Sequence, residues 1–271
     1  MLETIFSAIR KITIDTRDLL LETDYTTEDV NAYEDYQTNL DKRVDSMIVS
    51  ELLKTKVVSG IFSEEREDII TDENAPEDGL FVTLDPLDGS KGIATNSTCG
   101  TIYGIYDSNL EDKGSRMVAA AYSVFGPKVV LVIATGNSVT ELVLNPEKKF
   151  VYHYNHRMSK GKILRCGGLR KSYGSRDIAF VQLLEREGFK INYTDSLVAN
   201  IHHLLHKGGF YIYPSTKENP QGKIRLEIEA KPLAFIVKSA GGETNRILEL
   251  PPDLYARVPF IAGEKSIVEM H

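Results

Sequence analysis

Cysteine is scarce in this 271-residue chain, and the two that occur, Cys99 and Cys166, share no metal or redox spacing. That excludes a cysteine-built metal site, and two free thiols suit a reducing compartment. No apolar run approaches the roughly 20 residues that a membrane-spanning helix needs. The N-terminal stretch is an amphipathic helical pattern that carries acids, so neither a signal nor a transit peptide is evident. No membrane partner and a cytoplasmic location are therefore expected. Basic charge is in deficit too: 32 Lys and Arg stand against 39 Asp and Glu, for a net charge of −7. Without a dense basic stripe the chain lacks the phosphate contacts that a nucleic-acid partner requires. There is no internal repeat and no low-complexity tract.

What is present is an ordinary globular composition, 42% hydrophobic and 26% charged, in a chain long enough to bury a full core. Leu2, Ile5, Phe6, Ile9 and Ile12 recur at helical spacing and predict a first helix to about Leu20. Val44, Met47, Ile48 and Leu52 mark a second. Residues 57–62 and 81–84 read as short strands, the first running into Ser63-Glu64-Glu65 and the second into Asp85. Four further β-rich runs between Thr101 and Leu144 predict successive strands of one sheet. In the second half, residues 178–187, 196–206 and 229–240 read as helices, the last two ended by glycine pairs, with a strand at 210–213. A polar, basic, His-rich segment from Lys148 to Lys162 carries the expected boundary between subdomains 1–157 and 158–271. The expected class is layered α/β, with mixed sheets covered by helices.

The most informative stretch is Leu84-Asp85-Pro86-Leu87-Asp88-Gly89-Ser90-Lys91. Two carboxylates three residues apart, where a strand is expected to end, suit hard divalent cations, which take oxygen ligands. The amides of Asp88, Gly89 and Ser90 can face an anion as a nest of consecutive N–H groups. Gly89 permits close backbone approach because it has no Cβ. A solvated Asp-x-x-Asp loop has the same appearance. Further acids, Asp35, Asp41, Glu64, Glu65 and Glu229, stand at expected strand ends or loop mouths. If the strands leading to Glu64-Glu65 and to Asp85 lie side by side, four carboxylates converge at one sheet edge. Like charges that close repel unless cations sit among them. Mg²⁺ in such a cluster completes its shell with water and substrate phosphate, the arrangement for metal-assisted phosphoester hydrolysis. Taken singly, each acid reads equally well as structural: Glu64-Glu65-Arg66 as a solvated loop, Asp41 with Arg43 and Asp45 as a helix N-terminus.

The pieces together carry more than each alone. Ser63-Glu64-Glu65, the Asp85–Ser90 motif and Gly100-Thr101-Ile102-Tyr103-Gly104 are followed by Gly208-Gly209-Phe210-Tyr211-Ile212-Tyr213-Pro214. Gly222-Lys223-Ile224-Arg225-Leu226 and Glu229-Ala230-Lys231-Pro232-Leu233-Ala234-Phe235 complete the set. Over nearly its whole length, and in family order, the chain resembles the fructose-1,6-/sedoheptulose-1,7-bisphosphatase family. The resemblance implies an α-β-α-β-α layered sugar-phosphatase fold, hydrolysis of the 1-phosphate of a ketose bisphosphate, and a homo-oligomer, dimer or tetramer. It also implies two or three Mg²⁺ ions, with Mn²⁺ able to substitute. Carried over residue by residue, Glu64, Asp85, Asp88 and Glu229 match the metal ligands, with the Leu87 carbonyl contributing. Asp35, Asp41 and Glu65 match acids implicated in a third metal and in activating water. The backbone of Asp88, Gly89, Ser90 and Lys91 matches the 1-phosphate site, and Tyr193, Tyr213, Lys223 and Arg225 match the sugar and far-phosphate site.

Several details resemble the sedoheptulose branch more: Thr95-Asn96, Ala119-Ala120-Ala121 leading to Phe125-Gly126-Pro127-Lys128, and Gly167-Gly168-Leu169-Arg170. They favour the seven-carbon substrate, with fructose 1,6-bisphosphate as the alternative. Tyr211-Ile212-Tyr213-Pro214 points to the fructose branch instead. An inositol-phosphatase-like enzyme and an inactive phosphosugar sensor are the remaining readings. Three departures from the family pattern stand out. Asn192 replaces an Arg before Tyr193, which leaves Arg170 or Lys171 as substitutes on the far phosphate. Gly79-Leu80 stands where AMP-inhibited relatives carry Lys-Tyr, so no AMP inhibition is expected. The paired cysteines of redox-regulated relatives are missing.

Overall fold

The computed structural model describes residues 1–22, 28–30, 36–110, 112 and 114–271. The amphipathic N-terminal pattern forms α1 (Leu2–Glu22), which buries Ile5, Phe6, Ile9 and Ile12 along one face. A short antiparallel pair, β1 (Glu28–Val30) and β2 (Tyr36–Thr38), leads to α2 (Asn39–Lys54). Then come β3 (Val58–Ser63), β4 (Leu80–Asp88), a 3₁₀ turn at Ser90–Thr95, β5 (Cys99–Tyr106), β6 (Met117–Phe125), β7 (Val129–Ala134), β8 (Val139–Leu144) and β9 (Phe150–Asn155). These seven form one sheet in sequence order. Only β3 and β4 pair in parallel; the other pairs are antiparallel. The last strand lies inside the polar Lys148–Lys162 segment, where its mostly exposed side chains leave no apolar face to mark a strand.

The second half builds a five-stranded sheet from β10 (Ile163–Cys166), β11 (Lys190–Ile191), β12 (Phe210–Tyr213), β14 (Glu243–Thr244) and β16 (Phe260–Gly263), while β13 (Ile224–Arg225) pairs with β15 (Arg257–Val258). Its helices are α3 (Ser175–Arg186), α4 (Leu197–Lys207), α5 (Lys231–Ser239) and α6 (Lys265–Val268). Three apolar clusters fill the gaps between layers. One joins α1 and α2 to a face of the large sheet. A second holds α4 and α5 between the two sheets. A third lies between the small sheet, α3 and α6. The order is therefore α-β-α-β-α, as expected. Among the described residues, no helix is long and apolar enough to cross a membrane.

Candidate active site

The expected strand end after Leu84 is not there: β4 continues through Asp88. Its pairing with β5 shows why. Asp85 lies opposite Ile102 and Asp88 opposite Gly100, so β4 spends three steps where β5 spends two. That is a β-bulge, and it sits where Pro86 has no N–H to give to the ladder. In a regular strand residues three apart point to opposite faces. The extra residue returns Asp88 to the face of Asp85 and turns Leu87 into the apolar cluster beneath α1 and α2. Thr101 Oγ1 secures the bulge by donating to the Pro86 carbonyl at 3.0 Å.

Parallel pairing of β3 with β4 puts Ser63 beside Leu84, and the Glu64 amide donates to the Leu84 carbonyl at 2.9 Å. The expected convergence of Glu64, Glu65, Asp85 and Asp88 follows: all four line one cavity of about 590 Å³. Asp45 holds this loop from α2, accepting from Ser63 Oγ at 2.6 Å and from Arg66 Nε at 2.7 Å. Glu229 arrives from the opposite wall on a π-helical turn, Leu226–Ala230, that runs into α5. A buried Glu227 fastens that turn: its carboxylate accepts from Tyr106 Oη at 2.8 Å and pairs with Lys231 Nζ at 2.6 Å. Thr83 Oγ1 donates to the Glu227 carbonyl at 2.8 Å.

The result is a tight group of acids. One oxygen each from Asp85, Asp88 and Glu229 lies within 4.8 Å of the others. Burial, then the neighbouring Glu64, Asp88 and Glu229, push the Asp85 carboxyl well above its ordinary range. Asp88 is pushed up to about 6 by burial, against hydrogen bonds from Ser196, Val198 and Leu197 that oppose the rise. Glu229 is pushed up to about 8 by burial and Glu64, although the Arg225 amide donates to it at 2.7 Å. These carboxylates could hold a divalent cation, which would offset the neighbouring negative charges and the lost solvation that penalise their ionised form. Glu64 is engaged differently, with Oε1 2.9 Å from Arg225 Nε.

Asp88 is held by the start of α4. Ser196 Oγ donates to its Oδ2 at 2.6 Å, the Val198 amide to the same oxygen at 2.7 Å, and the Leu197 amide to Oδ1 at 3.1 Å. A helix N-terminus favours a carboxylate by its unpaired amides and dipole. Gly89, at φ 81°, packs so closely on Ser196 that a Cβ would lie 2.7 Å from that residue's Cβ.

The remaining expected residues divide. Leu87, Gly89, Ser90, Lys91, Tyr193, Tyr213, Lys223 and Arg225 all line the cavity. Asp41 is buried in the first turn of α2 and does not line the cavity; burial, then the charges of Asp88, Asp41 and Asp85, push the Cys99 thiol up to about 12. Asp35 lies outside the described residues. Arg170 does not replace the missing arginine: it pairs with Glu185 through two bonds of 3.1 and 3.0 Å, and neither it nor Lys171 lines the cavity. Arg257 does, and its guanidinium donates to the Lys223 carbonyl at 2.9 Å. Arg257 and Asp195 carry no local signal in the sequence, and Glu227 only its spacing of four residues to Lys231. Ser196 does, as a serine directly before an apolar helical run.

Comparison with known proteins agrees with this geometry. The family described as "Fructose-1-6-bisphosphatase, N-terminal domain" matches residues 1–155, and its C-terminal domain matches residues 158–271. A class 1 fructose-1,6-bisphosphatase of Methanocorpusculum labreanum is 37% identical over 86% of this chain and 74% of its own. That of Helicobacter hepaticus is 33% identical over 98% of this chain and 96% of its own. The holo form of Leishmania major fructose-1,6-bisphosphatase superposes with a TM-score of 0.89 at 25% identity, covering 98% of this chain and 92% of that one. A Toxoplasma gondii protein described as a sedoheptulose-1,7 bisphosphatase gives 0.87 at 21% identity, covering 99% and 92%, a likeness of fold alone. The chain belongs to the fructose-1,6-bisphosphatase family of sugar-bisphosphate phosphatases.

Proposed function

We propose that this protein removes the 1-phosphate of fructose 1,6-bisphosphate by divalent-cation-dependent hydrolysis. The observation that carries it is the buried Asp85–Asp88–Glu229 group beside the Gly89–Ser90 turn, in one cavity with Tyr213, Lys223 and Arg257. Asp85, Asp88 and Glu229 would hold the ion, and the Leu87 carbonyl and Glu64, which line the same cavity, would supply further oxygen ligands. A bound Mg²⁺ supplies Lewis acidity toward the phosphoryl oxygens and lowers the pKa of water. The turn's amides take the phosphate. Glu65, which lines the cavity, accepts the proton of the attacking water. Lys223, Arg257 and the two tyrosines fix the far phosphate, which makes the attack effectively unimolecular.

The features that favoured a seven-carbon sugar lie mostly away from this cavity. Ala119, Ala120 and Ala121 are fully buried within β6, and Phe125 to Lys128 border a separate cavity. Only Gly168 of that set touches the substrate cavity, where it packs beside the Tyr213 ring. The relatives reported above carry the fructose name. Phosphate release should therefore be faster, as kcat/KM, from fructose 1,6-bisphosphate than from sedoheptulose 1,7-bisphosphate under saturating Mg²⁺. A preference of about tenfold for the seven-carbon sugar would overturn the substrate assignment. Asp85→Ala or Glu64→Ala should abolish release of either, and retained turnover would overturn the assigned roles.

A further inference from the structure

A second group of ligand-type side chains lies at the far edge of the large sheet. Glu141 on β8 is buried, and its carboxylate accepts only from imidazoles. His156 Nε2 donates to Oε2 at 2.6 Å, His206 Nε2 to the same oxygen at 2.8 Å, and His153 Nδ1 to Oε1 at 2.9 Å, the carboxylate's only partners among the described residues. Four of the chain's six histidines gather here, since His202 packs edge to face on His206 with ring centres 4.7 Å apart. The gathering is built, not incidental. His153 is the extra residue of a bulge, because Glu141 pairs with Tyr154 and Leu142 with Tyr152. His202 and His206 sit one turn apart on α4 and reach across to the strand.

Among the described residues no Lys or Arg pairs with this carboxylate, whose side chain is 3% exposed, so imidazoles, which are also metal ligands, balance its charge. The imidazoles hold Glu141 ionised despite its burial. His202 is driven the other way, its pKa lowered to about 3 mainly by burial, so that ring stays neutral. Its Nδ1 lies 3.0 Å from the Tyr122 hydroxyl, which orients the ring against the group.

We propose that Glu141, His156 and His206 form a zinc-type binding site independent of the catalytic cavity, with water as fourth ligand and His153 at its entrance. Imidazole nitrogen with one carboxylate oxygen is a donor set for Zn²⁺ and its neighbours in the first transition row, and a poor one for Mg²⁺. One ligand atom from each of Glu141, His156 and His206 already lies within 4.8 Å of the other two. Tetrahedral bonds of 2.0–2.1 Å put ligand atoms about 3.3 Å apart, so the 2.6–2.8 Å pairs open by roughly 0.6 Å as the ion takes the place of the shared protons. No covalent step is involved; an imidazole that binds through Nε2 carries its ring proton on Nδ1. The ion enters from solvent past His153 and His206, whose side chains are 55% and 31% exposed. Bound, it ties the sheet edge to α4, the helix whose first turn holds Asp88.

The test is a titration of the full-length protein with Co²⁺ in the presence of excess Mg²⁺, which occupies the oxygen-rich cavity. The wild type should take up one equivalent with the intense visible bands of a tetrahedral, nitrogen-ligated ion, and Zn²⁺ should displace it. His206→Ala and Glu141→Gln should lose those bands and weaken Zn²⁺ binding by about tenfold or more. His153→Gln, at a side chain that is 55% exposed, should weaken it less. The proposal is overturned if the wild type gives no such bands. It is equally overturned if all three variants keep the bands and the affinity.

Discussion

Replacing Ser196 by Ala removes one oxygen that does two jobs. Ser196 Oγ donates to Asp88 Oδ2 at 2.6 Å and accepts from the Ala199 amide at 3.1 Å as the N-cap of α4. A lost N-cap costs about 1 kcal/mol. A hydrogen bond to a charged group contributes about 1.5–3 kcal/mol. Both belong to one hydroxyl, so the sum is an upper bound, and a loss of about 2–3 kcal/mol is expected. Asp88 is pushed up to about 6, so at pH 8 it is ionised and the bond is charge-assisted. The assay is urea unfolding at pH 8 with EDTA, paired with the Mg²⁺ concentration that gives half-maximal phosphate release. Ser196→Ala should lower the unfolding midpoint and raise that Mg²⁺ concentration, because a freed Asp88 is a poorer ligand. Ser196→Thr, which keeps the hydroxyl, should restore most of both. A Ser196→Ala protein within about 0.5 kcal/mol of wild type, with an unchanged Mg²⁺ requirement, would refute the reasoning.

Three other expectations follow from the same geometry. Lys231→Met strands the fully buried Glu227 beneath the turn that carries Glu229, so it should cost about 3–5 kcal/mol in unfolding free energy, and adding Glu227→Gln should recover much of it. Arg257→Ala should raise the KM for a sugar bisphosphate far more than the KM for a monophosphate ester, since only the former has a far phosphate for the cavity's cations. AMP should leave phosphate release unaffected up to millimolar levels: a Cβ at Gly79 would sit 2.7 Å from Pro76 Cγ and 2.8 Å from the Ser59 amide nitrogen, which leaves no room for a phosphate-binding side chain there.

The acids at the ends of β3 and β4 were readable because each follows an apolar run that can only be a buried strand, and their meeting needed one further step, parallel pairing. Helix starts were readable where a cap residue precedes an apolar repeat, as at Ser196. What Ser196 binds was not, for Asp88 lies 108 residues away and only the packing of α4 against β4 joins them. The same holds for the Tyr106 bond of Glu227, 121 residues away, and for Arg257, which meets the Lys223 carbonyl 34 residues away. Arg170 failed as a substitute for the opposite reason: a nearer acid, Glu185, claims it.

The deepest gap between sequence and site is a matter of parity. Period-two reasoning assigns Asp85 and Asp88 to opposite faces of a strand, and a tight turn after Leu84 was the natural way to bring them together. The chain instead keeps the strand and inserts one residue. The partner strand sets that register: Gly100 lies opposite Asp88, and on its other side it is wedged against β6, where a Cβ would lie 2.2 Å from the Ser123 carbonyl oxygen. No local pattern in residues 84–91 encodes that pairing. An insertion of the same kind at His153 aims that ring at Glu141, at the other end of the sheet. In both places one extra residue breaks the alternation and collects metal-type ligands on one side, since a bulge re-aims a side chain without ending the strand that holds it rigid.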